Sequence, residues 1–283
     1  PWNTAFFGCV SLLGAVGSNI TNQIKRLLFS TPVPWPDAQP KAADPASAVI
    51  DARELVKSFQ GNVAVGGMSL KLGEGEMVGL IGPNGAGKTT LFNLIAGSLK
   101  PTSGEIWIGG REVSQESPEQ RIGRGVGRTF QIPKPFLEMT VLENVLVGAQ
   151  AQDGERLFAN FLRFGHVRQQ ERLAIEKARA LLEFVTLSGL EGQPAKVLSG
   201  GQRKLLELAR ILRAGPQAIL LDEPAAGVNP ALLETIMERV LELNAQGKSI
   251  LLIEHNMDMV SRLCPRVVAM ALGKPLAEGT PAD

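Results

Sequence analysis

The stretch from Ile81 to Thr90 constrains the fold of this chain more than any other part of the sequence. It reads Ile-Gly-Pro-Asn-Gly-Ala-Gly-Lys-Thr-Thr and fits the pattern G-x-x-x-x-G-K-[ST]. An apolar run at 77–81 leads into it, and a segment of helical character at 88–99 follows. Glycines let successive backbone N–H groups point into one concavity at a helix N-terminus, whose dipole favours anions. The pattern therefore predicts a strand, a phosphate-binding loop and a helix in this order.

Within this loop, Lys88 is expected to reach the β- and γ-phosphates of a nucleoside triphosphate, and the Thr89 hydroxyl is expected to ligate Mg²⁺. The alternative, a glycine-rich turn with a chance Lys-Thr pair, does not account for the flanking strand and helix. The candidate nucleotide-binding residues of the loop are Asn84, Gly85, Ala86, Gly87, Lys88, Thr89 and Thr90.

Apolar strand-like segments alternate with helical segments along the rest of the chain. Two buried strands are predicted at Ala218–Leu221 and Ile250–Ile253, with a helix at Pro230–Asn244 between them. Residues 140–214 carry apolar side chains at helical spacing. Further strands are predicted at 49–53, 63–72 and 104–109. The alternation of strand, helix and strand predicts an α/β fold with a mainly parallel sheet.

Two carboxylates come directly after one of the predicted buried strands. Asp222 and Glu223 lie at the C-terminal edge of the sheet, where ligand sites of α/β folds are found. Asp222 is expected to hold Mg²⁺ together with Thr89. Glu223 stands where a general base for an attacking water is expected. A solvated acidic pair is the alternative, but a strand this apolar rarely ends in two carboxylates without a cation nearby.

The segment Leu198–Gln202 reads Leu-Ser-Gly-Gly-Gln and precedes an amphipathic helix. It predicts a second helix N-terminus with free N–H donors, which is a second place for an anion. The phosphates of one nucleotide already lie in the Lys88 loop. A second anion site therefore has a purpose only if it faces the nucleotide of another copy or subunit.

The overall composition excludes some partners. Lys and Arg number 29 against 28 Asp and Glu, so the chain has no basic excess to neutralise nucleic-acid phosphates. A nucleic-acid partner is not supported. The two cysteines, Cys9 and Cys264, lie far apart and match no metal-ligand spacing, which indicates reduced thiols in a cytosolic protein.

The N-terminal part of the chain differs from the rest. Residues 1–30 begin with an uncharged apolar stretch that is only marginally long and apolar enough to span a membrane. Three interpretations compete: the tail of a fused permease, an interfacial helix, or a poorly ordered leader. If the stretch spans a membrane, the positive charges at Lys25 and Arg26 place the rest of the chain in the cytosol. Residues 31–48 are rich in proline and predict a stiff linker, so a globular domain is expected from 49 to 283.

Taken in this order, the motifs resemble those of the ATP-binding subunit of an ABC transporter, and the resemblance covers nearly all of residues 49–283. It implies a P-loop NTPase core with a mainly parallel sheet, an antiparallel β subdomain and an ABC helical subdomain at about 132–205. It also implies an ATPase that uses ATP and Mg²⁺. A kinase or GTPase with a similar phosphate loop is disfavoured, because it leaves residues 199–202 without a function.

The resemblance assigns roles to individual residues. Lys88 and its loop resemble the Walker A motif, and Asp222 with Glu223 resembles Walker B and the catalytic glutamate. Gln131 is similar to the glutamine that contacts Mg²⁺ and water and senses the permease, and His255 resembles the switch histidine that contacts the γ-phosphate. Residues similar to the signature motif, which caps the nucleotide of the partner subunit, are Ser199, Gly200, Gly201 and Gln202. Residues similar to those at the adenine site are Phe59, which replaces the usual Tyr, and Val65.

Several segments resemble the ATPases of branched-chain amino-acid importers in particular. They are 128–131, 140–145, 254–257 and the enlarged helical region 150–188. The loop after Glu223, residues 224–230, carries Asn229 where many ABC proteins have Asp, and this variant also resembles those importers; Asn229 keeps a hydrogen-bonding side chain but has no charge for a contact across the dimer. This family continues into a final helix, so the resemblance implies that the C-terminus at Asp283 is truncated.

The resemblance also implies partners: a second ABC ATPase subunit in a homo- or heterodimer, transmembrane permease subunits, and indirectly a substrate-binding protein. It implies a peripheral position on the cytoplasmic face of the inner or plasma membrane. Urea or amide import and lipopolysaccharide export remain alternatives, because their ATPases look similar. A soluble ABC protein acting on ribosomes or DNA is a further alternative, although such proteins usually join two cassettes or insert coiled coils.

Overall fold

The computed structural model describes residues 44–129, 133–148 and 164–282. The predictions for the apolar segment 1–30, for most of the linker at 31–48, for Gln131 and for residues 150–163 of the enlarged helical region lie outside these residues. The strands of the described part are β1 Asp44–Phe59, β2 Asn62–Glu74, β3 Met77–Ile81, β4 Ser103–Ile108, β5 Arg111–Glu112, β6 Val126–Arg128, β7 Ala218–Asp222, β8 Ser249–Ile253, β9 Arg266–Ala271 and β10 Lys274–Gly279. Its α-helices are α1 Lys88–Ile95, α2 Pro118–Gly123, α3 Val141–Val147, α4 Phe164–Phe184, α5 Gly200–Leu212, α6 Pro230–Ala245 and α7 Met257–Leu263.

A six-stranded sheet carries the predicted nucleotide site. Its strand order is β10-β9-β3-β8-β7-β6, and the pairs from β9 to β6 are parallel, while β10 pairs with β9 in antiparallel fashion. Strand β3 therefore lies next to β8, and β8 lies next to β7. The carboxyl ends of these three central strands meet at one edge. The mainly parallel sheet expected from the sequence is confirmed.

The central strands are buried on both faces, which explains why they read as continuous apolar runs. Along β7, Ile219 and Leu221 pack into the core on one face of the sheet, and Ala218 and Leu220 pack into the core on the other. The same alternation holds along β8. Because side chains alternate across a strand, only a run that is apolar at every position can fill both cores.

A separate four-stranded antiparallel sheet has the order β2-β1-β4-β5. Strand β1 begins at Asp44, within the last residues of the segment interpreted as a linker. The β1–β2 pair ends in a tight turn between Phe59 and Asn62, where Gly61 has φ 93°. This sheet is the antiparallel β subdomain that the resemblance implies.

Helix α1 ends at Ile95 rather than at Leu99, where the sequence pattern predicts its end. Gly97 takes a left-handed conformation, with φ 85°, which ends the helix. The buried guanidinium of Arg121 donates hydrogen bonds to the carbonyl oxygens of Leu94 and Ile95, at 2.5 and 2.7 Å. These bonds satisfy carbonyl groups that the last turn leaves without a helical partner.

Helices α3, α4 and α5 pack together in the predicted helical region. Helix α3 begins with a capping box in which Thr140 and Glu143 bond each other's backbone N–H groups. Buried Asn144 holds the preceding loop, because its amide accepts from the N–H of Phe136 and donates to the carbonyl of the same residue. The start of this region is therefore fixed by polar contacts as well as by apolar packing.

Among the described helices there is none with the length and apolar character that crossing a membrane requires. Cys264 is a free, buried thiol, and burial raises its pKa to about 12. A thiol with so high a pKa is unreactive.

Candidate functional site

The phosphate-binding loop joins the end of β3 to the start of α1. Two of its glycines are required by close contacts with neighbouring backbone. A Cβ atom on Gly82 would lie 2.1 Å from the carbonyl oxygen of Met270, and one on Gly87 would lie 2.4 Å from that of Ala64. Gly87 also has φ 98° and is the N-cap of α1. The loop therefore presses against β2 and β9, and only glycine fits at these two positions.

Lys88 lies at the start of α1, and its side chain is held inside the loop. Its Nζ donates hydrogen bonds to the carbonyl oxygens of Gly82 and Pro83, at 2.7 and 3.0 Å. Burial lowers the pKa of Lys88, and the negative charges of Glu223 and Asp222 oppose this change. A cation so placed can transfer its hydrogen bonds from the two carbonyls to a phosphate.

Three of the remaining loop residues lie at the surface, where a phosphate can reach them. Asn84, Gly85 and Thr89 are exposed, Thr90 is half-buried, and Ala86 is buried. The Ala86 carbonyl accepts a hydrogen bond from the N–H of Gly273, which ties the loop to the turn between β9 and β10.

Asp222 is the last residue of β7 and is almost fully buried. One of its carboxylate oxygens, Oδ2, accepts a hydrogen bond from Arg128 at 3.1 Å, while Oδ1 has no hydrogen-bond partner among the described residues. Burial raises the pKa of Asp222, and the hydrogen bond and charge of Arg128 oppose this rise.

The unpaired oxygen of Asp222 fits a role as a metal ligand. Mg²⁺ is usually held by one or two carboxylates with substrate phosphates and water rather than by a cage of protein ligands. The described residues contain no cluster of three or more His, Cys, Asp and Glu side chains that could hold a metal. Of the three residues predicted to contact Mg²⁺, Asp222 and the exposed Thr89 lie among the described residues.

Glu223 and His255 follow neighbouring strands and face each other. Glu223 follows β7, and its N–H continues the ladder by donating to the carbonyl of Ile253 at 2.9 Å. Its backbone is left-handed, with φ 48°, which is uncommon for a residue other than glycine and is typical of functional sites. The Nε2 of His255 lies 3.4 Å from the Oε1 of Glu223. The imidazole and the carboxylate can therefore both contact a small group bound beside them.

Two charged residues, Glu254 and Lys204, hold the loops of Glu223 and His255 but were not predicted as site residues from the sequence. Glu254 is buried, and its carboxylate accepts hydrogen bonds from the backbone N–H groups of Ala225, His255 and Asn256. In the sequence, only its position directly before His255 indicates that Glu254 belongs to the site. Lys204, on α5, donates a hydrogen bond to the carbonyl oxygen of Glu223.

Lys204 lies among several acidic groups. Burial lowers its pKa, and the negative charges of Glu254, Glu207, Glu223 and Asp222 oppose the change. Its side chain lines a small cavity between α5, β7 and α6, together with Asp222 and Thr129. No signal in the sequence alone connects a helical lysine to the glutamate nineteen positions later.

The Leu-Ser-Gly-Gly-Gln segment forms the N-terminus of α5, as predicted. Ser199 is the N-cap, and Ser199 and Gln202 form a capping box. Ser199 and Gly200 are exposed, whereas Gly201 is buried against the first turn of α6 and the loop before it. A Cβ atom on Gly201 would lie 2.9 Å from Leu232 Cδ1 and 3.1 Å from Val228 Cγ1.

Asn229, which stands where many ABC proteins have Asp, is the N-cap of α6. Its Oδ1 accepts a hydrogen bond from the N–H of Leu232 at 2.9 Å. Asn and Asp cap helices about equally well, so the capping role does not require the charge.

Three further residues were predicted for the site, and they are Phe59, Val65 and Gln131. Phe59 is 44% exposed at the β1–β2 turn and is free to contact a planar ligand. Lys57 lies over its ring, with Nζ 5.2 Å from the centroid. Val65 is fully buried in the core, and this placement does not support a direct contact with a nucleotide. Gln131 lies outside the described residues.

Comparison with known protein families agrees with this geometry. The family model described as ABC transporter matches residues 65–226, which include the phosphate loop, the segment 199–202 and the carboxylates Asp222 and Glu223 at the end of β7. The chain belongs to the ABC transporter family.

Curated relatives match over most of their length. A probable branched-chain amino acid transport ATP-binding protein LivG of Methanocaldococcus jannaschii is 39% identical over 231 residues, which is 82% of this chain and 89% of that protein. The high-affinity branched-chain amino acid transport ATP-binding protein LivG of Salmonella typhimurium is 42% identical over 231 residues, 81% of this chain and 90% of that protein. BraF of Pseudomonas aeruginosa, which has the same description, is 39% identical over 235 residues, 82% and 92% of the two chains.

Solved structures of ATP-binding cassettes have the same fold. A nucleotide-free cassette from an ABC transporter superposes with a TM-score of 0.72 at 38% identity, over 82% of this chain and 91% of that one. A dimeric cassette in a post-hydrolysis state, bound to ADP and phosphate, gives a TM-score of 0.68 at 25% identity, over 82% and 98% of the two chains. The α/β P-loop fold class predicted from the sequence is confirmed.

Proposed function

We propose that this ABC ATPase binds and hydrolyses ATP to drive the import of branched-chain amino acids through a membrane permease. The observation that carries the proposal is the convergence of Lys88, Asp222, Glu223 and His255 at one sheet edge, with an exposed Ser199 cap elsewhere on the same chain. The names of the curated relatives support the choice of cargo.

Hydrolysis depends on positioning and electrostatics. The backbone N–H groups of the phosphate loop and the Lys88 ammonium bind the β- and γ-phosphates. Thr89 and Asp222 would hold Mg²⁺, which neutralises charge on the phosphate oxygens when it is bound. Glu223 orients and polarises the attacking water, and His255 approaches the γ-phosphate from beside Glu223.

A second ATPase subunit completes the site. The exposed N-terminus of α5 would bind the γ-phosphate of a nucleotide held by the partner, because its N–H groups favour an anion. Nucleotide would then lie between two subunits and stabilise their contact. The dimeric arrangement of a related cassette with ADP and phosphate supports this proposal.

The permease is the other proposed partner, with the ATPase bound peripherally at the cytoplasmic face of the membrane. The loop before α3 exposes apolar side chains that suit such a contact. They are Phe136, Leu137 and Met139. A substrate-binding protein would deliver the amino acid on the opposite side of the membrane.

ATP hydrolysis is tested with Glu223→Gln. We expect this variant to bind ATP, to lose turnover by about a hundredfold or more, and to accumulate as an ATP-bound dimer. The matched control is Glu278→Gln, which changes an exposed carboxylate on β10. ATP binding, steady-state ATPase activity and size-exclusion chromatography are the measurements. Full activity of Glu223→Gln would refute the assignment of the catalytic base.

The cargo is tested in the assembled transporter. Permease subunits that copurify with the chain are reconstituted in vesicles with their binding protein. We expect leucine, isoleucine and valine to stimulate ATPase activity and to be taken up, and urea and short amides to have no effect. Stimulation by urea alone would overturn the cargo while leaving the ATPase assignment intact.

A further inference from the structure

The loops that carry Glu223 and His255 leave neighbouring parallel strands. Asp222 of β7 pairs with Ile253 of β8, and the N–H of Glu223 makes the last backbone bond between the two strands. Beyond this bond the ladder ends. The separation of Glu223 and His255 must therefore be set by some other contact.

The carboxylate of Glu254 supplies this contact. Its Oε1 accepts a hydrogen bond at 2.6 Å from the N–H of Ala225, in the loop after Glu223. Its Oε2 accepts from the N–H groups of His255 and Asn256, at 2.8 and 3.0 Å. One side chain, only 3% exposed, thus links the two catalytic loops through their backbones.

A carboxylate suits this position better than any other side chain. Three backbone donors converge on it, and an ionised carboxylate accepts hydrogen bonds at both oxygens without donating. Such bonds to a charged group are stronger than neutral ones. An amide would turn an NH₂ group toward one set of N–H donors, and a hydroxyl would be too short to reach both loops.

We infer that Glu254 is a positioning residue for ATP hydrolysis, which holds His255 at its working distance from Glu223. The inference rests on the proposed ATPase function. The hydrogen bonds described for the Glu254 carboxylate all come from backbone N–H groups of the two loops, so its effect is transmitted through the loop backbones.

The test compares Glu254→Gln with the wild type. The variant keeps the size of the side chain, but its NH₂ group cannot accept. With the amide oxygen turned to the two N–H groups of His255 and Asn256, the single bond from Ala225 is lost. We expect kcat to fall about tenfold or more, as for the loss of one charge-assisted hydrogen bond. The dissociation constant for ATP should change by less than about twofold, because the Lys88 loop is untouched.

A double-mutant comparison separates positioning from loss of stability. In a His255→Ala background, where the imidazole is absent, Glu254→Gln should lower kcat by less than about twofold. A purely structural defect would lower kcat equally in both backgrounds. Glu254→Asp retains the charge and should recover part of the rate. If Glu254→Gln unfolds at the assay temperature, Glu254→Asp is compared across the same two backgrounds.

The controls distinguish failure of this inference from failure of the proposed function. Glu278→Gln should retain wild-type kcat, and Glu223→Gln should lose turnover by about a hundredfold or more. If the wild type lacks ATPase activity, the proposed function fails. If the wild type is active and Glu223→Gln is not, then a Glu254→Gln variant with wild-type kcat, or with the same loss in both backgrounds, overturns the inference.

Discussion

The buried ion pair between Arg128 and Asp222 gives a sharp prediction. The side chains are 11% and 2% exposed, and Arg128 also donates to the Oδ1 of Asn93 on α1. Arg128→Met replaces the guanidinium with an uncharged, unbranched side chain and leaves the carboxylate without this partner. Removing one member of a buried pair typically costs about 3–5 kcal/mol, and Asp222 can reduce the cost by taking up a proton, so we expect about 3 kcal/mol. At about 2–4 °C per kcal/mol for a chain of this size, Tm should fall by roughly 6–12 °C.

The pH dependence provides an independent check. Burial already raises the pKa of Asp222, and loss of Arg128 should raise it further. An acid whose pKa is raised by folding binds its proton more tightly in the native state, so stability falls as pH rises from the unfolded toward the native pKa. The difference in Tm between wild type and variant should therefore be largest above the native pKa and should shrink at acidic pH.

Differential scanning calorimetry at about pH 5 and about pH 8 measures both effects, within the pH range where carboxylates with raised pKa values titrate. The matched control is Arg262→Met, which breaks a surface pair with Glu234 whose side chains are 45% and 54% exposed. This control should leave Tm nearly unchanged. An equal loss of Tm at both pH values, or a loss no greater than that of the control, would refute the electrostatic explanation. The acidic limb of the ATPase profile should also move to higher pH, because Asp222 must be ionised to hold Mg²⁺.

Two further predictions concern the site. Gly85→Ala and Gly87→Ala both force a left-handed backbone on alanine, but only the second also brings Cβ within 2.4 Å of the Ala64 carbonyl. In calorimetry without nucleotide, Gly87→Ala should therefore lower Tm more than Gly85→Ala does, and equal shifts would contradict the packing explanation. Lys204→Met removes the hydrogen bond to the Glu223 carbonyl, so kcat should fall about fivefold to tenfold with little change in ATP affinity. Lys204→Arg should restore part of the rate, and wild-type turnover in Lys204→Met would show that this bond does not position the catalytic glutamate.

Much of the catalytic arrangement was predictable because its signals are local. The glycines before Lys88, the apolar runs that end in Asp222 and precede His255, and the Ser-Gly-Gly helix start each reflect the backbone conformation of a few neighbouring residues. Since parallel strands bring their carboxyl ends to one edge, these local patterns also predict that the side chains meet. The helix cap at Ser199 needs no tertiary information.

Other features depend on which side chains meet across the fold. Val65 and Phe59 stand in the same hairpin with similar apolar character, yet the first is fully buried and the second is exposed, because only packing against neighbouring elements decides which face a residue presents. The bond of Glu254 to Ala225 spans 29 positions, and that of Lys204 to Glu223 joins a helix to a strand end. The sequence by itself determined the strand–loop–helix framework and its chemistry, since both depend on short-range periodicity and residue type. Only the tertiary structure decided which buried charges hold the catalytic loops in place, because such contacts arise from the close approach of distant segments.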